Sequence, residues 1–202
     1  MFNILLGAPL VGILTAFASV VVEQFLAIAV NIIFQKEIVL DVYTHLSFFL
    51  VASTIIEESL KYFSAVFVLR RYLNLRRFRF IAAALIAGLF FGAMEIYFIL
   101  LANGKGIRDV SNLDGNIFFS LSAIGLLHIL TFFLISSFIA SWGKETGFQA
   151  VKIIVPPVFI HLFFNFLVIQ KGDFTNWLLG IFLGIIFIIN LFIIAFDFCK
   201  LD

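Results

Sequence analysis

The feature that most constrains this chain is a succession of apolar runs, each about as long as a bilayer is thick. The first extends from Phe2 to Phe34, broken only by Glu23 and Gln24, and others occupy about 42–69, 80–101, 117–142, 153–169 and 177–198. A hydrocarbon layer of about 30 Å takes roughly 20 helical residues, so the pattern predicts about six spans that consume nearly the whole chain. Strands of a membrane barrel would alternate in polarity, whereas continuous runs satisfy their backbone polar groups internally as helices. The expected fold is therefore all-α, a polytopic transmembrane helical bundle forming one integral membrane domain over residues 1–202.

Composition agrees, with 63% hydrophobic and 12% charged residues, and it narrows the partners to the lipid bilayer and what lies within it. A net charge of +1 provides no basic field for nucleic acid, so no nucleic-acid partner is expected. Ala16-Phe17-Ala18 imitates a signal-peptide cleavage site, but no Lys or Arg precedes it and the apolar run continues past it; the first run is read as a retained span. The single cysteine, Cys199, offers no internal disulfide, and its Cys-Lys-Leu-Asp context lacks the aliphatic residues of a prenylation signal.

Basic residues set the expected orientation. Arg70, Arg71, Arg76, Arg77 and Arg79 follow the second run, Lys144 and Lys152 follow the fourth, and Lys200 follows the sixth, against Lys36, Lys105, Arg108 and Lys171 on the other side. The positive-inside rule then predicts that both termini are cytoplasmic.

Function is expected inside the bundle, because six ionisable side chains interrupt the runs: Glu57, Glu58 and Lys61 in the second, Glu95 in the third, His128 in the fourth and His161 in the fifth, with Asn165 one turn on. Each such group costs at least about 2.5–3.5 kcal/mol at a span centre, so each demands a reason. Counting about 1.5 Å of rise per residue from the basic loops places Glu58 near 18 Å, Glu95 near 22 Å, His128 near 21 Å, Asn165 near 20 Å and His161 near 14 Å. Four helices thus bring polar groups to similar depths. Glu57 and Lys61, Phe91 and Glu95, and His161 and Asn165 are each four apart and share a helix face. Three carboxylates and one ammonium leave a charge that a low dielectric does not tolerate uncompensated. Either extra protons neutralise it, which sets up general acid/base chemistry, or a divalent metal such as zinc sits among Glu57, Glu95, His128 and His161.

The series Glu57-Glu58-Ser59-Leu60-Lys61, Phe91-Gly92-Ala93-Met94-Glu95, His128 and His161-Leu162-Phe163-Phe164-Asn165 resembles the PrsW-type intramembrane proteases. More broadly it is similar to the superfamily of CAAX prenyl endopeptidases and bacteriocin-processing enzymes, over a core of about 50–168. Against the CAAX-type pattern, Lys61 stands one residue earlier than an Arg and Glu95 replaces a His; both departures match the PrsW-type form. The resemblance implies a CAAX-protease-like fold and an intramembrane endopeptidase that cuts a single-span membrane protein, such as an anti-sigma factor at site one, in a prokaryotic plasma membrane. It implies Glu57 as the general base, Glu95 or His128 holding the water, and His161 and Asn165 stabilising the oxyanion. Independently of it, amide hydrolysis needs a base that works near neutral pH, which burial can make of a carboxyl group, and donors aimed at the developing oxyanion. No His-Glu-x-x-His helix is present, which excludes a standard zincin site.

Other readings of the same residues are a structural polar network in a noncatalytic scaffold or immunity protein, and a proton-coupled transporter. Lys61 serves either as a support of the site or simply as an ion-pair partner for a Glu, for insertion and structure. Glu23 and His45 are expected at the membrane surface, and Asn190 as a buried hydrogen-bonding residue. Gly88 with Gly92, and Gly180 with Gly184, are expected to allow close helix packing within the bundle, with a homodimer face as the alternative for the second pair. Pro156 and Pro157 are expected at the start of the fifth helix, with a kink before His161.

Overall fold

The computed structural model describes residues 2–34, 48–72, 77–102, 104, 115–142, 147–170 and 172–198, and all its regular elements there are helical. The helices are α1 (Phe2–Phe34), α2 (Phe48–Phe63), which continues as a π-helix (Ser64–Tyr72), α3 (Arg77–Ala102), α4 (Gly115–Trp142), α5 (Gly147–Gln170) and α6 (Asp173–Phe198). His45, Cys199 and the loop residues Lys36, Arg76, Lys105, Arg108, Lys144, Lys171 and Lys200 lie outside the described residues.

Five of these helices are long and apolar enough to cross a membrane: Leu6–Ile33, Phe78–Ala102, Gly115–Ser141, Gln149–Gln170 and Phe174–Ile193. The run expected over 42–69 is the exception among the six. Its α-helical part is only 16 residues and carries Glu57, Glu58 and Lys61, and it buries a polar face of Ser53, Thr54, Glu58, Lys61 and Tyr62. Apolar side chains such as Phe48 and Ile55 point outward from the same helix. This inside-out arrangement recurs at Phe25, Phe159, Phe174 and Trp177, and so much exposed aromatic surface suits lipid rather than water.

Helix α4 is the most buried of the spans and forms the centre of the bundle. It packs against α3, α5, α6 and α2, while α1 lies against α3 and α2. One apolar cluster, including Leu69, Phe80, Ala87, Phe132, Ile139 and Ile153, fills the end near Arg70. A second, including Leu127, Phe164, Leu167, Leu179 and Leu183, joins α4 to α5 and α6. The polar residues of α2, α4 and α5 lie between these two dry layers.

Glycine sets how closely α3 meets α4. A Cβ on Gly92 would stand 2.9 Å from the Gly125 Cα, and one on Gly88 would stand 2.9 Å from the His128 carbonyl oxygen. The expected close approach is therefore found for this pair. Gly12 of α1 lies closer still to the α3 backbone at Ala87. Gly184, by contrast, faces open space and Gly180 has only the Phe119 ring at 4.0 Å, so the second pair does not mediate close backbone packing within the chain. The prolines also depart from expectation: α5 begins at Gly147, so Pro156 and Pro157 lie inside the helix rather than at its start.

The glycine contacts predict an asymmetry. Gly92→Ala should destabilise the protein in detergent by about 1–3 kcal/mol, since backbone must shift to admit the methyl, whereas Gly184→Ala should stay within about 0.5 kcal/mol. Thermal unfolding of the two variants beside wild type checks this.

Candidate functional site

Lys61 is the residue around which the site is arranged. Its ammonium is fully buried and has three donors, each of which finds an acceptor: Glu58 Oε1 at 2.6 Å, His128 Nδ1 at 2.7 Å and Thr131 Oγ1 at 3.0 Å. The Phe91 ring lies 4.7 Å from the same nitrogen and adds a cation–π contact. The Glu with which Lys61 pairs is Glu58 at i−3 rather than Glu57 at i−4. Both spacings are helical neighbours, and the two acceptors on α4 with the Phe91 ring on α3 decide which way the side chain turns.

That choice fixes the neighbouring protons. An ammonium can only donate, so His128 Nδ1 must accept, and the neutral imidazole carries its proton on Nε2. Nε2 meets the Glu95 carboxylate. The two helices run antiparallel, and each side chain leans toward its own N-terminus, so Glu95 and His128 reach toward one another. Glu58 Oε1 also meets His161 Nδ1 at 2.8 Å. With Nδ1 donating to the carboxylate, His161 Nε2 holds a lone pair, or a second proton when the ring is charged. The two rings pack edge to face with centroids 5.2 Å apart.

Glu57 is placed differently. Its Oε2 lies 3.7 Å from His161 Nδ1, beyond hydrogen-bonding distance, and has no hydrogen-bond partner among the described residues. Its side chain is 14% exposed and that of Glu95 27%, whereas Glu58, Lys61 and His128 are sealed at 0%. Glu57 and Glu95 thus stand nearer the bundle's exterior than Glu58, although Oε2 of each is itself enclosed. Asn165 stands one turn from this level, where its Nδ2 donates to Thr54 Oγ1 on α2 at 3.2 Å. His161 rather than Asn165 therefore meets the Glu58 level, because counting from Lys152 assumes a common height for the helix ends that the packing does not keep.

The structure thus brings together Glu57, Glu58 and Lys61 from α2, Glu95 from α3, His128 from α4 and His161 from α5, with Asn165 of α5 one turn away on Thr54. It also adds Glu23. Expected at the membrane surface, this half-buried side chain instead accepts a hydrogen bond from Ser19 at 2.8 Å and interacts directly with the carboxyl groups of Glu57 and Glu95. The missed signal was its placement as the sole acidic residue within the first apolar run.

Atoms of Glu57, Glu58, His128 and His161 all lie within 4.8 Å of one another, a separation at which four residues can hold a metal ion. Glu58 thus takes the place that the sequence reading gave to Glu95. Donor chemistry argues against a divalent ion in this arrangement. The Lys61 ammonium already bonds to two of the four groups, His128 has both nitrogens engaged, and a second cation there would meet a fixed positive charge. Zinc does not fit these donors while Lys61 holds them.

Comparison with family models, curated proteins and solved structures finds no match to this chain.

The two adjacent glutamates should differ in what they support. Glu58→Ala strands a buried ammonium and a histidine donor, and should cost about 3–5 kcal/mol. Glu57→Gln leaves the Lys61, His128 and His161 hydrogen bonds in place and should keep stability within about 1 kcal/mol. Unfolding of both variants in the same detergent measures the difference.

Proposed function

We propose that this protein is an intramembrane endopeptidase that hydrolyses a peptide bond of a membrane-anchored, single-span protein with a glutamate-activated water. The observation that carries this reading is Glu57: a carboxyl group on a partly exposed side chain whose enclosed Oε2 has no hydrogen-bond partner among the described residues, beside two histidines and Glu95 that other groups hold in place. A general base needs such an acceptor to receive the proton of its water.

In this reading Glu57 takes a proton from water as the water oxygen attacks the scissile carbonyl. Glu95 holds that water beside Glu57. The developing oxyanion is met by the Asn165 amide and by His161 Nε2 when the ring is charged, donors placed in a water-poor site where each hydrogen bond counts for more. Glu57 then returns its proton to the departing amine, so the carboxylate is regenerated. Glu58 and Lys61 act at one remove: the carboxylate fixes the His161 ring, and the ammonium fixes His128 so that its Nε2–H meets Glu95.

The motif order that resembles PrsW-type proteases, within the CAAX-protease-like superfamily, supports the same chemistry. It extends the proposal to site-one cleavage of an anti-sigma factor in a prokaryotic plasma membrane. The α2 helix with its π-helical continuation is then the sixth span, and the basic loops place both termini in the cytoplasm.

Reconstituted in vesicles with a single-span substrate, Glu57→Gln should lower the cleavage rate by at least about 100-fold, and a zinc chelator should leave the wild-type rate unchanged. Full loss of activity on chelation, restored by zinc, would replace the glutamate–water reading with a metal-dependent one. Retained cleavage in Glu57→Gln would remove the assigned base, and a wild type that cleaves no such substrate would favour the noncatalytic scaffold.

A further inference from the structure

Glu23 lies in the first helix, outside the residues that carry the resemblance, yet the packing delivers it to the site. The Thr15 hydroxyl on α1 lies 2.7 Å from the Ser64 hydroxyl at the end of α2, and this contact sets the register between the two helices. Glu23 is eight residues beyond Thr15, about 12 Å along α1, and Glu57 is seven residues from Ser64, about 10 Å along α2 in the same direction. The two carboxyl groups therefore arrive at one level. Ser19 Oγ donates to Glu23 Oε1 at 2.8 Å and fixes that side chain from within its own helix. Across the helices, Glu23 faces Glu57 of α2 and Glu95 of α3.

Adding Glu23 changes the charge balance. With neutral imidazoles, Glu23, Glu57, Glu58 and Glu95 against Lys61 leave three uncompensated negative charges. Glu58 is matched by Lys61, and Glu95 meets the His128 Nε2–H. Glu23 and Glu57 have no cation of their own among the described contacts, and two ionised carboxylates side by side in an apolar interior repel strongly. One proton held between them removes both the repulsion and one charge.

We infer that Glu23 is a positioning residue of the hydrolytic site, sharing one proton with Glu57 and so aiming the Glu57 carboxylate at its water. This rests on the endopeptidase reading above and deepens it. The proton balance closes: the resting pair holds one proton, attack by water brings a second as the carbon–oxygen bond forms, and cleavage of the carbon–nitrogen bond hands one to the amine. The pair returns to a single shared proton. The same pairing explains why α1 has to pack tightly on α3 through Gly12, since a displaced α1 would carry Glu23 away from Glu57.

Two readouts test this. In vesicle cleavage assays, Glu23→Leu should lower kcat by about tenfold or more with KM within about twofold, and Glu23→Gln should change the acidic limb of the pH profile; Gln24→Leu, on the exposed neighbour, should change neither. Infrared spectroscopy of the full-length protein provides a readout that needs no activity: Glu23→Gln and Glu57→Gln should each shift or remove the same carboxylic acid band. An unaltered band in Glu23→Gln, or wild-type kcat and pH profile in Glu23→Leu, overturns the proposal. If wild type cleaves nothing while both substitutions alter the band, the proton-sharing pair stands and the hydrolytic reading fails; if cleavage depends on Glu57 alone, the reverse holds.

Discussion

A buried ammonium with three acceptors is the constraint on which the rest of this structure depends. Lys61 cannot reach water, and in a low-dielectric interior its charge is tolerable only because Glu58, His128 and Thr131 receive all three of its N–H bonds. Those acceptors sit on α2 and α4, so satisfying the charge ties two helices at a fixed rotation and height. Hydrophobic packing alone does not discriminate among rotations of helices that are apolar on most faces. The ammonium does, because any other rotation leaves it unpaired.

From that fixed point the proton positions follow without further assumptions. Lys61 makes His128 an acceptor at Nδ1, which sends the Nε2 proton toward Glu95, and Glu58 takes the Nδ1 proton of His161. The cluster thus separates into a sealed layer and a partly exposed one. Glu58, Lys61 and His128 form the first, and Glu57 and Glu95 form the second. Neighbouring glutamates one residue apart acquire different work because one turns into the bundle and the other toward its opening.

Glycine provides the other half of the geometry. Gly88 and Gly92 let the α3 backbone touch α4 around Gly125 and His128, closer than any side chain would permit. Without that approach the Glu95 carboxylate would not reach the His128 ring. A lipid environment makes such contacts important, since tails outside are as apolar as the side chains inside and packing has to supply the association.

Much of this was legible along the chain. Length and continuity of the apolar runs require helices, and a charged side chain inside such a run is conspicuous in one dimension, which is why Glu57, Glu58, Lys61, Glu95, His128, His161 and Asn165 could be gathered before any coordinates. Glu23 escaped because its depth was counted from the chain's start, whereas the Thr15 contact with Ser64 sets its height. Which Glu pairs with Lys61, the approach of Glu23 to Glu57 and the lack of close packing at Gly184 were likewise beyond local pattern. The sequence by itself determined an all-helical membrane protein and the polar residues it must bury, because the bilayer penalises each polar group according to its place in the run. Only the tertiary structure decided which of them meet, because helices apolar around most of their circumference carry no stripe that records their mutual rotation and register.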